Sequence, residues 1–126
     1  PQLLAASAGR TRFYQHMRAL FERFDVLAMP SAQVWPFDVN IRWPSEINGR
    51  SMDTYHRWME VVIYSTLAGL PSISVPAGFA PQGPYKGLPM GLQLIGKPQG
   101  DFELLQLAYA YEQVNLTLIQ QRPPGI

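Results

Sequence analysis

Residues 65–79 read STLAGLPSISVPAGF, and no single element of secondary structure can hold them. The opening residues close an apolar helical pattern, Gly69-Leu70-Pro71 breaks it, and Ser72 to Val75 resume as a short strand before Pro76. Glycine takes the left-handed conformation that ends a helix without the steric cost of a Cβ. Proline cannot carry the helix further. The chain must therefore pass from helix to strand within a few residues, which suits a helix and a strand packed as neighbouring layers of an α/β structure.

The flanking sequence extends this pattern. From Arg10 to Phe24 the residues Phe13, Met17, Leu20, Phe21 and Phe24 recur at helical spacing, and the helix can begin as early as Leu3. Val26 to Met29 form a short buried strand stopped by Pro30. Residues 31–50 have no period but carry Trp35, Phe37 and Trp43, with a turn at Asn48-Gly49. Aromatic side chains are costly to leave in water, so this stretch reads as a structured covering loop. Ser51 offers an N-cap for a helix from Met52 to Leu67 whose apolar face includes Tyr55, Trp58, Met59, Val62 and Ile63 or Thr66. Met90 to Ile95 form a third strand. Asp101 caps a last helix, Phe102 to Val114, with a face of Leu104, Leu105, Ala108 and Tyr111, and the RPPG tail is irregular. The expected architecture is α/β, part of a layered structure with about three helices and three strands. Such a sheet leaves its edges unpaired, which natural proteins usually cover. That, and an opening at Pro1 without an initiator Met, suggests a piece of something longer.

Composition closes off several functions. The net charge is +1, so no field favours nucleic acid or a membrane surface. No apolar run approaches the roughly 20 residues that span a bilayer. The start, PQLLAASAGR, lacks the basic region of a signal peptide, so Asn115-Leu116-Thr117 reads as a chance sequon. Without cysteine there are no disulfides, thiolate nucleophiles or Cys-type zinc sites. This composition is compatible with a cytoplasmic protein.

The usual reactive constellations are missing too. His16 and His56 are the only histidines and have no metal-ligand spacing. No phosphate-cradling glycine motif precedes a helix, and there is no GxSxG elbow. Ser31, His56 and Asp53 could form a triad on paper, but their spacing does not favour one. Asp53 and Glu60 lie two helical turns apart, roughly 10 Å, too far to share a proton. Ser72 and Ser74 read as polar filling in a buried strand. The residues alone give an α/β fragment and no reaction.

GLPSISVPAGF followed by GLPMGLQLIGKPQGDFELLQLAYAYEQ resembles the C-terminal part of amidase signature family enzymes. LFERFDVLAMPSAQVWPFDV is similar to that family's helix, strand and Met-Pro-Ser/Thr loop, and MDTYHRWMEVVIYSTLAG to its next helix and glycine cap. The resemblance covers residues 10 to 115 and implies hydrolysis of a carboxamide to a carboxylic acid and ammonia without metal or organic cofactor. It implies a serine nucleophile, a second serine on a cis peptide bond as relay, and a lysine as base, with backbone donors forming an oxyanion hole. The nucleophile of that family sits in a Gly- and Ser-rich segment that this chain does not contain, so no catalytic residue carries over. The expectation is a single C-terminal segment over residues 1–126, with the catalytic region on preceding polypeptide.

The loop from Ser31 to Arg50 and the helix from Tyr55 to Glu60 are then the parts expected to reach the substrate cleft, with Tyr55, Trp58 and Glu60 as pocket residues. Related tRNA-dependent amidotransferase A subunits place a substrate-recognising acid near that helix, close to Glu60. The plainer role is an ion-paired helix residue for Glu60 and core packing for Tyr55 and Trp58. Two other readings stand beside the amidase. One is a stand-alone binding or dimerisation module. The other is the A subunit of a transamidating complex, for which the near-neutral charge offers no support. The expected partner is a small-molecule amide met through the parent enzyme. The exposed sheet edges predict self-association of the fragment or a homodimer.

Overall fold

The computed structural model describes residues 1–121 of the 126, so the RPPG tail expected to be irregular lies outside the described residues. Helix α1 spans Gln2–Leu20. Strand β1 is Leu27–Pro30, and a small hairpin follows from β2, Glu46–Ile47, and β3, Arg50–Ser51. Helices α2, Tyr55–Trp58, and α3, Glu60–Ala68, lead into β4, Ser72–Phe79, and β5, Pro89–Ile95. Helix α4, Asp101–Val114, and the single turn α5, Leu116–Ile119, complete the fold. No helix among the described residues is long and apolar enough to cross a membrane.

The mixed α/β architecture is as expected, with differences that have physical causes. The first helix starts at its early limit because Gln2 to Ala8 are mostly good helix formers, although Leu3 and Leu4 stay exposed. Of its expected face, Phe13, Met17 and Phe21 pack inward while Leu20 and Phe24 are exposed. Ser51 is not a helix cap but the end of β3, because Asn48 and Gly49 both take positive φ, 50° and 77°, the geometry of a two-residue hairpin turn. The helix expected over Met52–Leu67 is broken at Met59. The Gln33 side-chain amide donates to the carbonyls of both Arg57 and Trp58, which an unbroken helix would use internally. Asp101 is the first residue of α4 rather than its cap. It still favours the helix, since Asp101 and Glu103 place negative charge at the positive end of the dipole.

Gly69 ends α3 at φ 65° and ψ 41°. Its N–H donates to the Thr66 carbonyl and that of Leu70 to the Ser65 carbonyl, the paired bonds of a Schellman cap. Leu70, buried, anchors the turn in the core. Strand β4 then runs past Pro76, where it was expected to stop, with an irregularity between Pro76 and Gly78. It can do so because it is an edge strand, where a residue without an N–H is tolerated. The sheet order is β1-β5-β4, antiparallel throughout.

Helices cover both faces of this sheet. On one, Ile95, Leu27 and Met29 meet Met17, Phe21 and Ala68 of the α1–α3 layer, and the Arg10 side chain donates to the Leu67 carbonyl. On the other, Val75, Leu94, Ile73 and Leu92 pack on Leu104, Ala108 and Tyr111 of α4. Leu105, expected on that face, is 57% exposed.

Polar groups occupy the α3 side where the apolar core ends. Gln93, 5% exposed, accepts hydrogen bonds from Ser72 and Ser65 and donates to the Val61 carbonyl. This satisfies both ends of a buried amide. One step along β5, Gly91 leaves room for the hydroxyls of Ser31 and Ser74 to meet at 2.6 Å. A Cβ at Gly91 would lie 2.7 Å from Ser31 Oγ and 2.8 Å from Ser74 Oγ. Gly91→Ala is therefore expected to destabilise the chain by about 1–3 kcal/mol through overpacking. Adding Ser74→Ala should recover part of that loss, so the two changes are non-additive in denaturant unfolding. Strict additivity would show that the bridge does not dictate a glycine here.

Candidate functional site

The loop that begins at Ser31 and the broken helix at Met59 face one another, and two clefts open between them. Gln33 holds this arrangement through its bonds across to Arg57 and Trp58. The first cleft, about 370 Å³, is lined by Gln33, Arg50, Glu60 and Tyr64 among others. The second, about 200 Å³, is lined mainly by aromatic and aliphatic groups, with Trp35, Phe37 and Trp58 prominent. Ala32 borders both.

In the polar cleft Tyr64 donates a 3.1 Å hydrogen bond to Glu60 Oε1, and Arg50 lies 3.9 Å from Glu60 Oε2. This ion pair is long and solvent-facing and contributes little to stability. It nonetheless gives the cleft one cationic and one anionic group side by side, able to orient a polar ligand. Glu60 and Tyr64 are four residues apart and so share a helix face, a spacing visible in the sequence.

The aromatic cleft is braced from behind. Phe37 meets Trp58 edge to face at 5.6 Å, Trp58 meets Tyr55 at 5.9 Å, and Tyr55 meets Trp43 at 6.0 Å. Trp43 donates its indole N–H to the Met52 carbonyl, and the Arg42 guanidinium lies over its ring. Trp58 Nε1 is buried and finds no acceptor.

The three residues expected in a pocket are thus distributed. Trp58 lines the aromatic cleft and Glu60 the polar one, while Tyr55, 48% exposed, lines neither and supports Trp58 from outside. Gln33 and Arg50 belong to the loop expected to reach the cleft but were not singled out in it, and Tyr64 was not expected. The paper triad does not assemble: Ser31 bonds Ser74, Asp53 bonds Arg57, and His56 packs on Tyr55. The Arg57 hydrogen bond holds the Asp53 carboxyl below its usual range, with that guanidinium's charge adding to it. No group of His, Asp and Glu that could hold a metal occurs among the described residues. Two larger depressions lie elsewhere, about 620 Å³ around Asp25 and Lys97 and about 640 Å³ along β4 and β5. In the first, Asp25 already takes the Lys97 ammonium at 2.9 Å. The second offers mostly apolar surface.

A sheet carrying helices on both faces, with a two-part cleft where its longest loop meets a broken helix, is a layered α/β fold whose cleft walls sit on connecting segments. The chain belongs to the amidase signature family, as residues 2–105 match the Amidase family model. It is 37% identical over 110 residues to the glutamyl-tRNA(Gln) amidotransferase A subunit of Heliobacterium modesticaldum, covering 87% of this chain and 20% of that protein. To the protein of the same name from Nostoc sp. it is 41% identical over 110 residues, 87% of this chain and 21% of that one. Among solved structures it superposes on a bacterial aryl acylamidase of the amidase signature family with TM-score 0.75 and 32% identity, over 89% of this chain and 22% of the other. The glutamyl-tRNA(Gln) amidotransferase A subunit of Thermotoga maritima superposes with TM-score 0.71 and 28% identity, over 88% and 22%. The chain spans about a fifth of the length of these relatives.

Burial raises the Tyr64 phenol above its ordinary value, and the hydrogen bond to Glu60 and that carboxylate's charge add to the shift. A group whose folded pKa lies above its unfolded one contributes stability that is complete below the unfolded value and lost as pH rises through the folded one. Denaturation midpoints are therefore expected to fall as pH climbs past the ordinary tyrosine value of 10.0, and to fall less in Tyr64→Phe. An equal fall in both proteins would place the alkaline loss elsewhere.

Proposed function

We propose that this chain is the C-terminal part of an amidase that hydrolyses a carboxamide to a carboxylic acid and ammonia, with a Ser-Ser-Lys machinery on polypeptide outside these residues. The observation that carries this reading is the family match over residues 2–105 on a chain spanning about a fifth of its relatives. The chemistry of its own hydroxyls fits. Ser31 and Ser74 share a hydrogen bond, but a serine is a weak nucleophile without a base. The lysines are Lys86 and Lys97, Lys97 is held by Asp25, and neither bonds these serines among the described residues. In this reading the chain supplies cleft walls: Trp58 an apolar one, Glu60 with Arg50 a polar one, and Tyr55 the brace behind Trp58.

The purified chain is expected to release no ammonia from benzamide or butyramide. The product of the whole natural gene is expected to do so and to be silenced by a sulfonyl fluoride. Turnover by the isolated chain that survives that inhibitor overturns the reading. A second reading, the A subunit of a transamidating complex, is favoured by the name borne by relatives at 37–41% identity. It requires the whole gene product to be idle on free amides until a partner chain and an aminoacyl-tRNA are added.

In isolation the chain also leaves β1 and β4 as sheet edges and an apolar groove along β4. Open strand edges template pairing with another chain. Its sedimentation coefficient is therefore expected to rise with concentration, and a constant monomeric value would count against self-association.

A further inference from the structure

We infer that the outer face of α4 is a docking surface for the start of α1 from a second copy of this chain. From Gln2 to Ala8 every residue of α1 is exposed, with Leu3 and Leu4 at 83% and 76%. About two helical turns therefore stand clear of the layer that Phe13, Met17 and Phe21 build further along the same helix. These turns gain no stability from packing, and exposed apolar clusters mark interaction sites. The contact goes beyond the amidase reading and is separate from the open edges of β1 and β4.

Helix α4 carries the complementary surface. Leu104 and Ala108 pack it on the sheet, while Phe102, Leu105 and Tyr109 are exposed. Their i, i+3, i+7 spacing sets them in one stripe along the outer face. Asp101, four residues before Leu105, and Glu112, seven after it, border that stripe, and α4 has no basic residue. Helix α1 has the opposite charge, with Arg10, Arg12 and Arg18 and no acid. Leu4, Ala8 and Arg12 follow at four-residue spacing on one face of it. Arg12 lies about 12 Å along the axis from Leu4, the span from Tyr109 to Asp101 and close to that from Leu105 to Glu112. An arm with Leu4 on the apolar stripe thus brings Arg12 to its acidic border. Charge also selects the occupant. Two α4 stripes brought together face acid with acid, and two α1 arms face arginine with arginine, and both pairings are repulsive. Within one chain α1 and α4 lie on opposite faces of the sheet, so the arm that docks comes from another copy. The contact joins different surfaces of the two copies and repeats from chain to chain unless it closes.

The test uses two variants of the full chain, Leu3→Asp/Leu4→Asp in the arm and Leu105→Asp in the stripe. All three positions are exposed, so both variants are expected to keep the wild-type melting temperature. Each alone is expected to lose about tenfold in self-association by sedimentation. Their mixture is expected to form a one-to-one heterodimer, because the stripe left intact on one meets the arm left intact on the other. With the arm variant ¹⁵N-labelled, mixing should shift the signals of Phe102, Leu105 and Tyr109; with the labels exchanged, those of Leu3, Leu4 and Ala8. Glu112→Arg keeps the apolar stripe and tests charge alone. It should weaken association about fivefold at low salt and have little effect at about 1 M, where the screening length is near 3 Å. A monomeric wild-type chain, a mixture that stays monomeric, or shifts confined to β1 and β4 overturns the arm contact. Loss of association in Leu105→Asp with none in Leu3→Asp/Leu4→Asp overturns it too, by showing a different surface on the stripe. The amidase reading stands or falls apart from all of these results.

Discussion

Strand β5 is the one strand of its sheet hydrogen-bonded on both sides, and along one face it presents Gly91, Gln93 and Ile95 in turn. Those three positions set what can lie above the sheet. Ile95, fully buried, carries the apolar layer made with α1 and the α3 cap. Gln93 cannot be buried without partners, so Ser72, Ser65 and Val61 are drawn to it, which fixes α3 against β4 and β5. Gly91 has no side chain, and the space lets Ser31 and Ser74 join across it. The face thus grades from apolar to polar to bare within five residues of strand, and the clefts begin where side-chain bulk runs out.

The start of the covering loop is held at that bare end, by the serine bridge and by the Ser31 N–H to the Gly91 carbonyl. Two residues later Gln33 reaches the carbonyls that a continuous helix would have used. Helix continuity is given up there, and two of its carbonyls are taken by the loop instead. The break at Met59 sends Trp58 into one cleft and Glu60 into the other. Residues adjacent but one in sequence therefore line different chemical environments, which an unbroken helix does not prevent but does not fix so firmly.

Much of this layering was legible in the residues. Helical periodicity located α1 and α4, and short apolar runs bounded by proline or glycine located the three sheet strands. The Gly69 stop was legible because glycine takes positive φ without the steric cost of a Cβ. What was not legible depended on contacts between distant residues. Nothing local distinguishes Gln33 as a helix breaker 24 residues away, or Gly91 as the floor of a serine bridge rather than one more strand glycine. Asn48-Gly49 announced a turn, but the strands beside it are two residues each and too short to show alternation. Trp58 and Glu60 could be placed on a helix but not in separate clefts, since the break that parts them is imposed by the loop.

The proposed reading gives this scaffold recognition without reaction, and the same physics bears on both halves of it. Orienting a ligand needs walls, a few directional partners and elements rigid enough to hold them. The two clefts meet that demand within the described residues through aromatic bracing and the Glu60–Arg50–Tyr64 group. Activating a hydroxyl needs more, a base held within hydrogen-bond reach whose proton affinity suits the task. The two serines here bond each other, and the Lys97 ammonium is committed to Asp25 at the opposite end of β5. Ser74 is exposed, and no charged side chain lines the cleft that Ser31 and Gly91 border. In the amidase reading proposed above the base comes from another segment, and the bare end of the sheet at Gly91 leaves its backbone open to such an approach.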